Sequence, residues 1–216
     1  MILKMCQIKK ELFLANFEIW NKEEKVGSVV VNGKMGSMEA DIKIEIFNDE
    51  YTMKYVSGIL KEKFMKKGYK SFREYSIHNA SNEEGVVYQV DWKQKMFLIT
   101  NYYEMKYCGL HYNLYPISFL KDGKTEGKHP VYCCDVQVAQ INTPGEIFND
   151  LYNYEIYAIN QKEAKMCAVL CAYMYVNAGF KPGERVTKSH VKFYSKTKDT
   201  FLLEKYHSDF IQMTDE

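Results

Sequence analysis

The chain has 216 residues, enough for one sizeable core, and at about 150 residues per domain a single domain is the expectation. Its 29 Lys and Arg against 28 Asp and Glu leave a net charge of +1, which excludes whole-molecule attraction to nucleic acid or to anionic membranes, so any basic site has to be local. Eighteen tyrosines and twelve phenylalanines beside four prolines favour long strands that carry aromatics on their faces.

The opening "MILKMCQIKK" has no apolar stretch of signal-peptide length before its charges, which sets a cytoplasmic location as the expectation. "ELFLANFEIW" then places Phe13, Ala15, Phe17 and Ile19 on one face, and "KVGSVVVNG" ends in the hairpin signal Asn32-Gly33. "DIKIEIFND" alternates Ile42, Ile44 and Ile46 with Asp41, Lys43 and Glu45, the pattern of a half-buried strand. "YTMKYVSGIL", "YKSFREYSIHN", "GVVYQVDW", "KMFLITNYYEMKYCGLHYNL" and "VYCCDVQVAQI" continue it, with turns expected at residues 79–85, 92–94 and 121–128. "LYNYEIYAI" reads as a last strand. The spacing is that of an all-β sandwich or barrel.

One segment departs from this alternation. In "NQKEAKMCAVLCAYMYVNAGF", residues 160–180, Asn160 can cap a helix, Glu163 is placed to close a capping box and Gly179 can terminate it. Between Lys165 and Asn177 no side chain is charged, so the helix 161–178 is expected to be buried all round. A bilayer span needs about 20 apolar residues; this run is shorter, and a core helix is the expectation. Many strands, one apolar helix and no βαβ alternation indicate a closed antiparallel sheet. A barrel of more than about eight strands leaves an interior that its own side chains do not fill. The helix can fill it, with Ala168, Ala172 and Ala178 permitting close approach.

The chemistry-bearing residues are scattered. Cys167 and Cys171 lie one turn apart in the helix, Cys133 and Cys134 are expected on opposite faces of a strand, and with Cys6 and Cys108 all six are expected to be thiols. No Cys-x-x-Cys occurs, and neither metal nor cofactor is expected. The glycosylation sequon Asn79-Ala80-Ser81 is read as chance without a secretion signal. Nucleophile-elbow, phosphate-loop, dinucleotide and His-Glu-x-x-His motifs are absent from the sequence. His78, His111, His129, His190 and His207 read individually as surface or structural residues, and His129 stands about 13 Å from Cys133 along a strand, too far for a dyad.

Strands followed by "YEIYAINQKEAKMCAVLCAYMYV" resemble the tubby-like fold, in particular its LURP-one-related and phospholipid-scramblase-like branches. "CQIKKELFLANFEIWNKEEKVGSVVVNGKMG" is similar to the start of those domains, and the resemblance covers about residues 4–180. It implies a mainly β fold: a roughly twelve-stranded antiparallel closed barrel around the helix 161–178. The domain is then 1–180, with 181–216 as an extension, either a hairpin or a terminal helix, on or trailing from it.

The resemblance also implies a noncatalytic binding or scaffold domain that recognises anionic phospholipid headgroups or a protein partner, placed in the cytoplasm or peripherally at a membrane. The one dense basic run, "KEKFMKKGYKSFR", supplies Lys61, Lys63, Lys66, Lys67, Lys70 and Arg73 as candidate ligands for an anion, interleaved with Phe64, Tyr69 and Phe72. Its plain alternative is a solvated lysine-bearing edge. A weaker cluster, Lys121, Lys124, Lys128 and His129 in "KDGKTEGKH", reads as a polar hairpin loop. The competing function is a ligand-binding barrel, carrier or enzyme, with an internal cavity. The position of the helix separates the two.

Overall fold

The structure is a computed structural model that describes residues 1–34, 39–56, 69–81, 84–95, 98–121, 124–145, 147, 151–178 and 197–214. Its strands are β1 (Ile2–Lys10), β2 (Leu14–Asn21), β3 (Glu24–Gly33), β4 (Ala40–Ile46), β5 (Asp49–Tyr55), β6 (Tyr69–Asn79) and β7 (Glu84–Lys95). There follow β8 (Leu98–Tyr107), β9 (Leu110–Leu114), β10 (Ser118–Lys121), β11 (Lys124–Cys133), β12 (Val136–Thr143) and β13 (Asn153–Ala158). All pair antiparallel in one 13-stranded sheet, β10 at one edge and β9 at the other. The sheet closes where Val131, Tyr132 and Cys133 of β11 pair with Leu114, Asn113 and Tyr112 of β9. Twelve strands therefore form the expected barrel, and β10 lies outside it as a flap on β11.

The interior follows from the two-residue period of the strands. Ala15, Phe17 and Ile19, then Val29 and Val31, then Ile42, Ile44 and Ile46 are buried, and every strand of the ring adds to the same core. Removing each such aliphatic side chain from water stabilises the fold by about 1.5–3 kcal/mol. Helix α1 (Gln161–Ala178) runs through this core. Asn160 Oδ1 accepts from the Glu163 amide at 3.0 Å, so the expected cap is formed. The Tyr173 ring meets Tyr75 of β6 and Tyr103 of β8, with centroids 5.9 and 5.3 Å away. Tyr175 meets Phe17 of β2 at 4.8 Å, and the helix also packs on β3, β4, β12 and β13. Contacts on all sides place α1 on the barrel axis.

Strand alternation gives the barrel two ends. At the lower end, where α1 starts, two-residue turns carry pairs of left-handed residues, Phe47 and Asn48, Cys108 and Gly109, and Cys134 and Asp135, the requirement of a type I′ hairpin. Two of these turns divide segments that the sequence reading joined. Cys134 is thus a turn residue and does not share a strand with Cys133. Asn32 and Gly33 are still in the ladder, paired with Asp41 and Ala40; residues 35–38 lie outside the described residues. The turn expected at 92–94 is also displaced, because β7 continues to Lys95. Of the stretch 121–128, Lys124 onward belongs to β11.

The extension returns to the outside of the barrel. Helix α2 (Thr200–Leu203) is capped by Asp199, which accepts from the Phe201 amide at 3.0 Å and from the Thr100 hydroxyl. Leu202 packs with Tyr88, Val90, Tyr102, Tyr115, Ile117 and Tyr132 into a second, aromatic cluster. The Lys205 ammonium stands 5.5–5.6 Å from the rings of Tyr115, Phe201 and Tyr132. A 3-10 helix, Ser208–Thr214, then reaches β12 and β13. Among the described residues of the extension, 197–214, short helices are found.

Candidate binding sites at the open end of the barrel

At the upper end β5 finishes and β6 begins, and the basic run falls between and into them in sequence. Lys61, Lys63, Lys66 and Lys67 lie outside the described residues. The Lys70 backbone is in β6, in register with Asp91. Arg73 occupies an irregularity of the β6–β7 ladder, with φ of 51°. Its guanidinium donates to the carbonyl of Asn177 at 3.0 Å and to the Asn177 Oδ1 at 3.3 Å. Asn177 lies in the last turn of α1, where carbonyls lack intrahelical donors, so Arg73 completes and electrostatically caps the helix. The Tyr173 hydroxyl returns a bond to the Arg73 carbonyl at 3.0 Å.

The same end contains a cavity of about 200 Å³, open on one side. The last turns of α1 border it through Met174. Tyr103, Tyr152, Tyr154 and Met174 form its apolar side. Thr125, Gly127, His129 and Thr143 form the other, from the inward positions of β11 and the end of β12. His129 was grouped with the polar hairpin loop; it is instead an inward strand residue, 6% exposed. Its Nδ1 accepts from the Ile117 amide and its Nε2 meets Thr143 Oγ1, each at 3.2 Å. A backbone N–H only donates, so Nδ1 is the acceptor and the proton resides on Nε2. Burial pushes the His129 pKa down to about 4, and the ring is neutral at pH 7. Gly127 is required beside it, because a Cβ would collide with Thr143 Oγ1 and His129 Nε2.

A second polar group lies at the lower end. Glu163 of α1 is buried, and its Oε2 has no hydrogen-bond partner among the described residues. The return half of the capping box is therefore not what occupies that oxygen. The Tyr112 hydroxyl ionises well above its ordinary range, through burial first and then the nearby charge of Glu163. Burial also raises Cys133 and Cys167. These groups are protonated at neutral pH, the opposite of an activated thiolate.

The remaining candidates are structural. His78 lies 3.7 Å from Glu84, and His111 3.5 Å from Glu104, which also accepts from Tyr88 at 2.6 Å. His207 is exposed and His190 lies outside the described residues. The partners of His129 are Ile117 and Thr143, not Cys133, so the rejected dyad is indeed not formed. Lys128 extends over the Tyr206 ring at 5.8 Å. Among the described residues no group of three or more His, Cys, Asp or Glu is placed to hold a metal ion. Among them, too, no helix is long and apolar enough to cross a membrane.

Comparison with known proteins gives no match in any of three forms: no family model, no curated protein and no solved structure matches this chain.

Proposed function

We propose that this chain is a noncatalytic binding domain of the tubby-like kind that docks on anionic phospholipid headgroups, at a membrane surface, through the basic run of residues 61–73. The observation that carries the reading is the position of α1. With Val169, Leu170 and Tyr173 fully buried on the barrel axis, the interior is spent on packing, and recognition falls to the ends and the outer face. In the sequence the densest run of cations falls between β5 and the start of β6. Arg73, at the end of that run, also donates to the end of α1 through an exposed guanidinium. The resemblance of residues 4–180 to tubby-like domains supports the same class of ligand.

The test is sedimentation with liposomes of neutral or anionic composition. Each lysine near an anionic surface contributes on the order of 1 kcal/mol, so changing Lys63, Lys66 and Lys67 together to Ala is expected to weaken binding about a hundredfold. Raising the salt from 0.1 to 1 M shortens the screening length from about 10 to about 3 Å and should weaken the parent protein similarly. Equal, negligible sedimentation of the parent with both liposome types overturns the reading.

A further inference from the structure

We infer that the cavity at the open end is a binding site for a small, uncharged, ring-sized molecule bearing a hydrogen-bond acceptor, and that the Thr143 hydroxyl is the group that reads the acceptor. The site is independent of the lysines and of anionic lipid.

Size sets the first limit. A dry cavity of about 150 Å³ is known to hold benzene, and this one, at about 200 Å³, admits such a ring with a short substituent. The walls set the second. Tyr103, Tyr152 and Tyr154 offer ring faces and edges, and the Met174 thioether adapts to the shape of what it meets. Among the described residues that line the cavity none carries a charged side chain. A charged ligand would lose its hydration and find no counter-charge among these residues.

The hydrogen-bond chain sets the third limit and gives the site a direction. The Ile117 amide donates to His129 Nδ1, which leaves the ring proton on Nε2, and Nε2–H then donates to Thr143 Oγ1. Thr143 therefore acts as acceptor in that bond. Its own hydroxyl proton has no acceptor among the described residues, and the side chain lines the cavity. The backbone of β10's approach thus decides, through a histidine, that Thr143 presents a donor. Gly127, directly opposite Thr143 in the β11–β12 register, leaves the space that this chain occupies. A ketone, ether or alcohol oxygen suits the donor, and a bare hydrocarbon leaves it unmet.

The experiment is an NMR titration of the ¹⁵N-labelled full chain with three probes of similar size: acetophenone, ethylbenzene and benzoate. Acetophenone is expected to saturate, with shifts centred on the amides of Ile117, Gly127 and Asn153; ethylbenzene to bind more weakly; benzoate not to bind. Thr143→Val should reduce the acetophenone affinity about tenfold, to the level of ethylbenzene, and leave ethylbenzene unchanged. Thr143→Ser should restore it. A single cooperative melt of each variant shows that both fold, with Thr143→Val melting lower because the buried His129 Nε2–H loses its acceptor. The inference is overturned if no probe shifts those amides, if benzoate binds as well as acetophenone, or if Thr143→Val leaves the preference for acetophenone intact.

Discussion

Arg73 and Tyr173 hold each other through the backbone of β6: the Tyr173 hydroxyl donates to the Arg73 carbonyl at 3.0 Å, and the Arg73 guanidinium donates to Asn177, one helical turn beyond Tyr173. One residue thereby couples the barrel wall to the end of the axial helix. Arg73 pays for this position with a left-handed φ of 51°. Arg73→Ala keeps the backbone cost and loses the cap, and should destabilise the protein by about 1 kcal/mol in urea. Arg73→Gly loses the same bonds but relieves a backbone penalty of about 1–2 kcal/mol, so it should be the milder change. Equal melting of the parent and both variants would mean that the cap carries no energy.

His129 sets a pH dependence. Its pKa is about 4 in the folded protein and near its ordinary 6.5 once unfolded. Between these values the unfolded chain binds the proton and the folded chain does not. Stability is therefore fully present above pH 6.5 and falls as the pH drops towards 4, by about 3 kcal/mol from this group. Urea unfolding of His129→Gln compared with the parent isolates the effect. The variant should show a flatter profile from pH 6.5 to 4, and parallel profiles would contradict a buried neutral imidazole.

The barrel was legible because Ile42, Ile44 and Ile46 and their counterparts repeat at the period of a pleated sheet, and the helix because eleven uncharged residues, 166–176, follow a cap. The division of strands was less so. Cys108-Gly109 and Cys134-Asp135 adopt the hairpin geometry that Asn-Gly usually announces, and Asn32-Gly33, which carries that signal, stays in the ladder. The cavity was missed because "KDGKTEGKH" is polar enough to read as a loop. The inward alternation Thr125, Gly127, His129, Val131 was the available signal. What no local pattern contains is the pairing of Gly127 with Thr143, which assembles the site from two strands. The role of Arg73 was hidden for the same reason: it depends on where a helix about a hundred residues later ends.

Burial orders the thiols. Cys108 and Cys134 are exposed, Cys6 and Cys133 are half-buried, and Cys167 and Cys171 are buried, with ionisation suppressed by desolvation. Alkylation of the native protein without reductant should modify Cys108 and Cys134 first, and Cys167 and Cys171 only after denaturant is added, for six modified thiols in all. Rapid labelling of Cys167 under native conditions would contradict a tightly packed axis.

The most direct measurement is the cooperative melt of Leu170→Asp. Leu170 is fully buried at the middle of α1, within the hydrophobic core that the helix shares with the barrel strands. A carboxylate there stays unpaired in a dry interior, at a cost of several kcal/mol that is comparable with the whole stability of a domain. The helix-filled barrel predicts that this variant has no cooperative thermal transition and is recovered aggregated or unfolded, while Leu170→Met melts within a few degrees of the parent. A soluble Leu170→Asp protein with a sharp transition near that of the parent would place α1 off the axis and return the interior of the barrel to a ligand.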